Sequence, residues 1–335
     1  MGARLSTSAS VSVSVETMYT ATAASSIAQA AATALTQSLT SGLRGKTFDR
    51  FVQIWLENQD YDIAAGDPNL AYLGTLGVTL TNYYAVAHPS QSSMTEDEAF
   101  PIPPPNYVAA VGGSTHGVNH DEWARISNTT ETIVDLLEAA GISWSLYQED
   151  VPYSGFEGDY ENQQTGANDY VRKHNEQSLL VYRLTTRYGP LMSYDSVTQD
   201  VNRLAKSKNF TLFYEDLSKN MLPQSTFITP NMTNDGHDTS VTVAGKWSRD
   251  FLTPLLSNQN FNTDRTLIIL TFDECENYHI ENRVYTVLLG GAIPSSKIGT
   301  SDGTRLDHYS LMKTVEQNWN LGDLGQNDVG ATAFI

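Results

Sequence analysis

The stretch Thr266–Glu276, TLIILTFDECE, sets an unbroken apolar or β-branched run, Leu267–Phe272, directly against two adjacent carboxylates, Asp273 and Glu274. Acidic side chains held beside an apolar segment are costly unless something positive meets them, and a metal ion is the usual partner. A solvated loop after a core strand is the competing reading, and these residues alone do not separate the two. Four further clusters carry related chemistry: Glu57-Asn58-Gln59-Asp60-Tyr61-Asp62, His88-Pro89-Ser90-Gln91, Asn234-Asp235-Gly236-His237-Asp238 and Asp307-His308-Tyr309-Ser310. A carboxylate beside an amide offers oxygen donors to a hard or borderline cation. An Asp and a His two apart across a glycine turn can converge on one ion. A serine hydroxyl is a poor nucleophile at its ordinary pKa, and a divalent metal both lowers that pKa and holds a phosphate opposite it. Each cluster alone is a weak signal; their recurrence just after apolar runs is the stronger one.

Such residues need strands to carry them. A short apolar run without alternation reads as a strand buried on both faces, the habit of a parallel sheet. Phe51–Leu56, Ile142–Tyr147, Leu212–Tyr214, Ser225–Ile228, Leu267–Phe272 and Val284–Leu289 are the expected strands. Asn128-Thr-Thr-Glu131 predicts a helix N-cap with glutamate at its third position, continued by TIVDLLEAA and ended by Gly141. Val243–Leu256 predicts a helix with Trp247 and Phe251 on one face, and Ser310–Leu321 a late helix. Strands alternating with helices imply an α/β fold with a mainly parallel sheet, whose ligands sit beyond the carboxyl ends of the strands. Residues 1–45 are rich in Ser, Ala and Thr and read as a low-complexity arm, and 46–335 as the globular domain. Within the arm, Ala23–Leu39 is open to either a helix or a flexible segment.

At 335 residues the chain can bury a large core, and 40% hydrophobic content with 10% aromatics is ordinary for a globular enzyme. The formal charge of −18 argues against nucleic acid and anionic membranes as partners, and an anionic substrate would need a local positive centre. No apolar run is long enough to span a membrane. Cys275 is the single cysteine, so no intrachain disulfide is expected. Sequons at Asn128, Asn209 and Asn231 point toward secretion, although no apolar segment of a normal signal peptide follows Arg4.

Nine stretches between residue 46 and the C-terminus carry a resemblance: FDRFVQIWLENQDYD, AGDPNLAYL, HPSQ, PNYVAAVGG, TGANDYVRKHN, FITPNMTNDGHDTSVTVAGKW, LIILTFDE, NRVYTVLLGGAIP and HYSLMKTVEQNW. In them the chain resembles the fungal secreted acid phosphatases of the phosphoesterase family. That family also takes in bacterial acid phosphatases and non-haemolytic phospholipases C, within the alkaline-phosphatase-like superfamily. The resemblance implies helices on both faces of a mostly parallel sheet and hydrolysis of small phosphate monoesters at acid pH, in a secreted or cell-wall protein. It implies a divalent metal ion as cofactor, the ligand set permitting Zn, Ca, Mg or Mn. Glu57 and Asn58 match the family's first metal-binding pair, and Asp273 and Glu274 its second acidic pair. Asp235, His237 and His308 match the remaining ligands and phosphate contacts. Ser90 matches the nucleophile, with His88 and Asn106 as substrate-binding neighbours, and His120 with Asp121 matches a further active-site position. Lys173, between Arg172 and His174, is a phosphate contact or part of a solvated basic face.

Two segments depart from the family pattern. Residues 92–104 separate Gln91 from Pro105-Asn106-Tyr107, and residues 176–189 intervene before Pro190. They read either as surface loops or as translated intron sequence. If the first is real it falls within the nucleophile turn, where about 1 Å of misplacement can cost ~10²-fold in rate. A phospholipase C-type phosphodiesterase using the same site, and a catalytically impaired metal- or phosphate-binding protein, are the two alternative functions.

Overall fold

The structure is a computed structural model and describes residues 13–15, 20–21, 24–87, 105–118, 124–161, 168–170 and 190–334. Its centre is an eight-stranded sheet. The strands are β1 (Arg50–Leu56), β2 (Val78–Leu80), β3 (Trp144–Gln148), β4 (Ser207–Asn209), β5 (Ser225–Thr229), β6 (Thr266–Phe272), β7 (Thr286–Leu289) and β8 (Thr300–Asp302). Their spatial order is β4-β3-β5-β1-β6-β7-β2-β8. All neighbours pair in parallel except at β7, which runs against both β6 and β2. Every residue of β5 and β6 is buried; for β6 this is what a continuous apolar run requires when both faces of a strand are covered. This is the α/β architecture with a large, mostly parallel sheet that the strand pattern predicts.

The helices that bear on the core and the site are α1 (Pro68–Thr75), α2 (Pro105–Gly112), α3 (Ile133–Ala139), α4 (Phe210–Ser218), α5 (Val241–Leu256) and α6 (Tyr309–Trp319). Trp247 and Phe251 lie on one face of α5 and stack at 4.8 Å, as their spacing predicts. Gly141 takes φ +75°, the left-handed turn that ends α3. The main apolar core runs from Phe48 to Val315, and Phe334 packs against it. Within the arm, Ala24–Ala31 is helical, and Ser41 bonds Gln224 (2.6 Å) at the start of β5.

Two local expectations are corrected. Leu212–Tyr214 is not a strand but the middle of α4. Asn209 caps that helix by accepting from the Leu212 amide at 3.0 Å, and Phe210, Phe213 and Leu217 bury one face at helical spacing. A run of three apolar residues carries too little periodicity to show this. The cap of α3 is Thr132, not Asn128: the Asp135 carboxylate accepts from the Thr132 amide at 2.7 Å and its hydroxyl at 3.1 Å. Both positions offer a hydroxyl or amide three residues ahead of an acid. The nearer one wins because Ile133, Val134 and Leu137 must face the core.

Candidate active site

The register of two neighbouring strands builds the site. β1 and β6 pair in parallel with Leu56 opposite Phe272, so Glu57 and Asp273 leave the sheet side by side. Each pair then locks the other. The Asn58 amide donates to Asp273 Oδ1 (3.0 Å), as does the Glu274 amide (2.7 Å). Asn58 Nδ2 donates to Glu274 Oε1 (3.4 Å), and the Gln59 amide to the Glu274 carbonyl (3.0 Å). Glu57, Asp273 and Glu274 are all buried. Burial, followed by the charges of Glu57 and Glu274, holds the Asp273 carboxyl well above the usual carboxylate range. Among the described residues Asp273 Oδ2 has no hydrogen-bond partner.

The loop after β5 joins them. The Asp235 carbonyl accepts from the Glu57 amide (3.2 Å), and Asp235 Oδ1 accepts from the His237 amide (2.9 Å). The His237 ring pairs through Nδ1 with Asp238 (2.8 Å). His308, at the entrance to α6, is fully buried with its ring 4.5 Å from that of Trp55. Its Nε2 lies 2.7 Å from the Asp273 carbonyl oxygen, which can only accept, so Nε2 carries the hydrogen. Nδ1 is then the acceptor for the Tyr83 hydroxyl at 3.1 Å. Burial lowers the His308 pKa to about 4, so the ring is neutral. A metal-ligand role for His308 would require one of these two bonds to open.

Asn106 and Tyr107 enter from the first turn of α2. The Tyr107 hydroxyl donates to Glu57 Oε1 at 2.6 Å. Asn106 Oδ1 accepts from the Val86 (3.0 Å) and Ala87 (2.9 Å) amides, and its Nδ2 donates to the Ala87 carbonyl (3.1 Å) and Glu274 Oε2 (3.3 Å). The structure therefore brings together Glu57, Asn58, Asn106, Asp273, Glu274 and His308, with Asp235 and His237 on the adjoining loop. His88, Ser90, His120, Asp121, Arg172, Lys173 and His174 lie outside the described residues, as do both inserted segments. Tyr107 was legible as the residue after Asn106, but nothing local marks Tyr83, which meets His308 only in the fold.

Among the described residues, no group of three His, Cys, Asp or Glu side chains is arranged to hold a metal ion. The donor chemistry nonetheless suits a divalent cation: buried carboxylates crowd one another, and one Asp273 oxygen is left without a hydrogen bond. Cys275 adds nothing to such a set. It is buried, its thiol pushed up to about 12 by burial and then by Asp60 and Glu274, and its sulfur donates to the Asn277 carbonyl (3.4 Å).

The chain is 47% identical over 308 residues to an acid phosphatase of Aspergillus fumigatus, covering 92% of this chain and 63% of that protein. It is 47% identical to a phosphate-repressible acid phosphatase of Penicillium chrysogenum, covering 90% of this chain and 66% of that protein. The chain thus spans a little under two thirds of the length of these relatives. A crystal structure of an alkaline phosphatase superfamily protein from Vibrio parahaemolyticus aligns over 92% of this chain and 78% of that one, with 13% identity and a TM-score of 0.43. The phosphoesterase family model matches residues 71–322, a span running from α1 past the end of α6 and taking in the acidic pair at the end of β6, and the chain belongs to the phosphoesterase family.

Proposed function

We propose that this chain is an acid phosphatase acting on small phosphate monoesters. The observation that carries the reading is the β1–β6 register, which sets a glutamate–asparagine pair against an aspartate–glutamate pair at adjacent strand ends. The fungal relatives named as acid phosphatases support it. Glu57, Asn58, Asp235, Asp273 and Glu274 would hold a divalent cation, with His237 and His308 next to them. Such a cation supplies the positive centre that a chain of net charge −18 needs in order to bind a phosphate ester. Ser90 attacks phosphorus, the P–O bond to the leaving group breaks, and a phosphoserine results. His120 takes the proton that the Ser90 hydroxyl loses and passes it to the leaving oxygen. Water then attacks the phosphoserine, releasing phosphate and restoring the hydroxyl.

With p-nitrophenyl phosphate at pH 5, Ser90→Ala is expected to lose turnover while keeping the wild-type melting temperature. Unchanged turnover would remove Ser90 as nucleophile and with it this mechanism. We further propose that the protein is secreted and glycosylated. Asn128 sits exposed in the turn before α3, whereas the Asn231 side chain is already committed to Asp150 at 2.5 Å. Enzymatic deglycosylation of protein from a eukaryotic secretory host should lower its apparent mass. A wild-type protein that does not shift contradicts the assignment.

A further inference from the structure

The segment Tyr83–Ala87 is the last described stretch before His88-Pro89-Ser90, and it is held from two sides. Asn106 grips it from α2 through the Val86 and Ala87 amides and the Ala87 carbonyl. A second side chain that reaches it is Asn282, in the loop between β6 and β7, which opens the NRVYTVLLGGAIP stretch and has no role in the proposed mechanism. Asn282 Nδ2 donates to the Ala87 carbonyl at 2.5 Å. Its Oδ1 accepts from the Cys275 amide at 2.9 Å, next to Glu274. Its backbone carbonyl accepts from the Ala85 amide at 2.9 Å. The Ala87 oxygen therefore receives two side-chain amides, one also bonded to Glu274 and the other to the residue after it.

We infer that Asn282 is a positioning residue: it ties the backbone that leads toward Ser90 to the loop that carries the second acidic pair. The inference rests on the phosphatase reading, since it concerns where Ser90 stands relative to that pair. Backbone that enters a reactive turn must hold to a fraction of an ångström, and a hydrogen-bonded amide bridging both partners is a way to hold it. Asn282 touches neither acid of the pair with its side chain, so its loss leaves both pairs in place and disturbs the segment that Ala87 anchors. That separates it from a binding residue, whose loss raises KM.

Two substitutions divide its bonds. Asn282→Ala removes both side-chain bonds. Asn282→Asp keeps an acceptor for the Cys275 amide but turns the donor facing Ala87 into an oxygen. On p-nitrophenyl phosphate we expect both to lower kcat ~10- to 100-fold, the range of a misplacement of up to about 1 Å. KM and calorimetric affinity for inorganic phosphate should change much less than kcat, since the carboxylate pairs stay in place. If Asn282→Ala melts early, the near-isosteric Asn282→Asp decides the matter. A wild-type kcat in folded Asn282→Asp overturns the inference, as does a loss expressed mainly in KM or phosphate affinity. An active wild type silenced by Ser90→Ala but indifferent to both Asn282 changes sinks this assignment alone. A wild type without turnover sinks the phosphatase reading and this assignment with it.

Discussion

Asp273 is the residue on which the site's electrostatics turn. Three buried carboxylates, Glu57, Asp273 and Glu274, stand close enough to oppose one another's ionisation, and two backbone amides only partly offset this. An unneutralised group of this kind works against folding, whereas a bound cation converts the same repulsion into affinity. Asp273→Asn therefore has opposite effects in two conditions. In chelator-treated protein at pH 7 the variant is expected to melt no lower than wild type, because the buried acid whose ionisation Glu57 and Glu274 oppose is gone. With added divalent cation, wild type should gain melting temperature and the variant should gain much less. Thermal melts with and without chelator check both, and equal gains for the two proteins would remove Asp273 from the cation site.

At the level of elements, β6 and the start of α6 act as one unit. The carbonyl of Asp273, just past the strand, accepts from His308, and His308 in turn holds Tyr83. Tyr83–Tyr84 pairs in parallel with Leu306–Asp307, so the segment leading toward Ser90 and the entry to α6 move together. His308→Ala would leave a buried cavity and an unsatisfied carbonyl and hydroxyl, with an expected cost of roughly 2–4 kcal/mol in chemical denaturation. The pH sense follows from its lowered pKa. The fold holds the ring neutral, so its contribution is fully present above about 6.5 and is lost as pH falls through about 4. Removing the ring should flatten the acid limb of the wild-type stability profile. An acid limb identical in the variant would mean that His308 titrates normally.

Across the molecule a second buried acid pair works in the opposite direction. Glu316 on α6 faces Asp328 in the C-terminal segment, whose carboxylate accepts from the Leu324 amide at 2.7 Å and the Gln326 amide at 2.8 Å. Burial, and then Asp328, pushes Glu316 up to about 7, although Lys313 lies 3.2 Å away. The folded chain therefore holds a proton that the unfolded chain releases near 4.5. Stability from this group is complete below about 4.5 and declines as pH rises through about 7. Together with His308 this places the stability maximum in the acid range. Glu316→Gln should remove the decline toward neutrality and move the maximum to higher pH in urea titrations; an unmoved maximum counts against the pair.

How much of the fold and site was legible in the sequence depends on the range of the interaction. A continuous apolar run announced β6, and the largely apolar FVQIWL announced β1, because a strand covered on both faces needs no alternation. The acids after these two strands announced themselves as well, since a carboxylate beside an amide or a second carboxylate at a strand end is a local pattern. Where local signals were short they misled, as in Leu212–Tyr214, whose helix depends on the Asn209 cap and on Phe213 finding the core. The amino-acid sequence by itself thus determined the fold class and the Glu57–Asn58 and Asp273–Glu274 pairs of the candidate site. Tertiary structure alone decided that Glu57 and Asp273 emerge from one register, that His308 spends both ring nitrogens on Asp273 and Tyr83, and that Asn282 reaches Ala87 from a distant loop. The physical reason is that a hydrogen bond is specified by the positions of two atoms within a few tenths of an ångström. Residues 195 apart in the chain acquire such positions only when the sheet between them has formed.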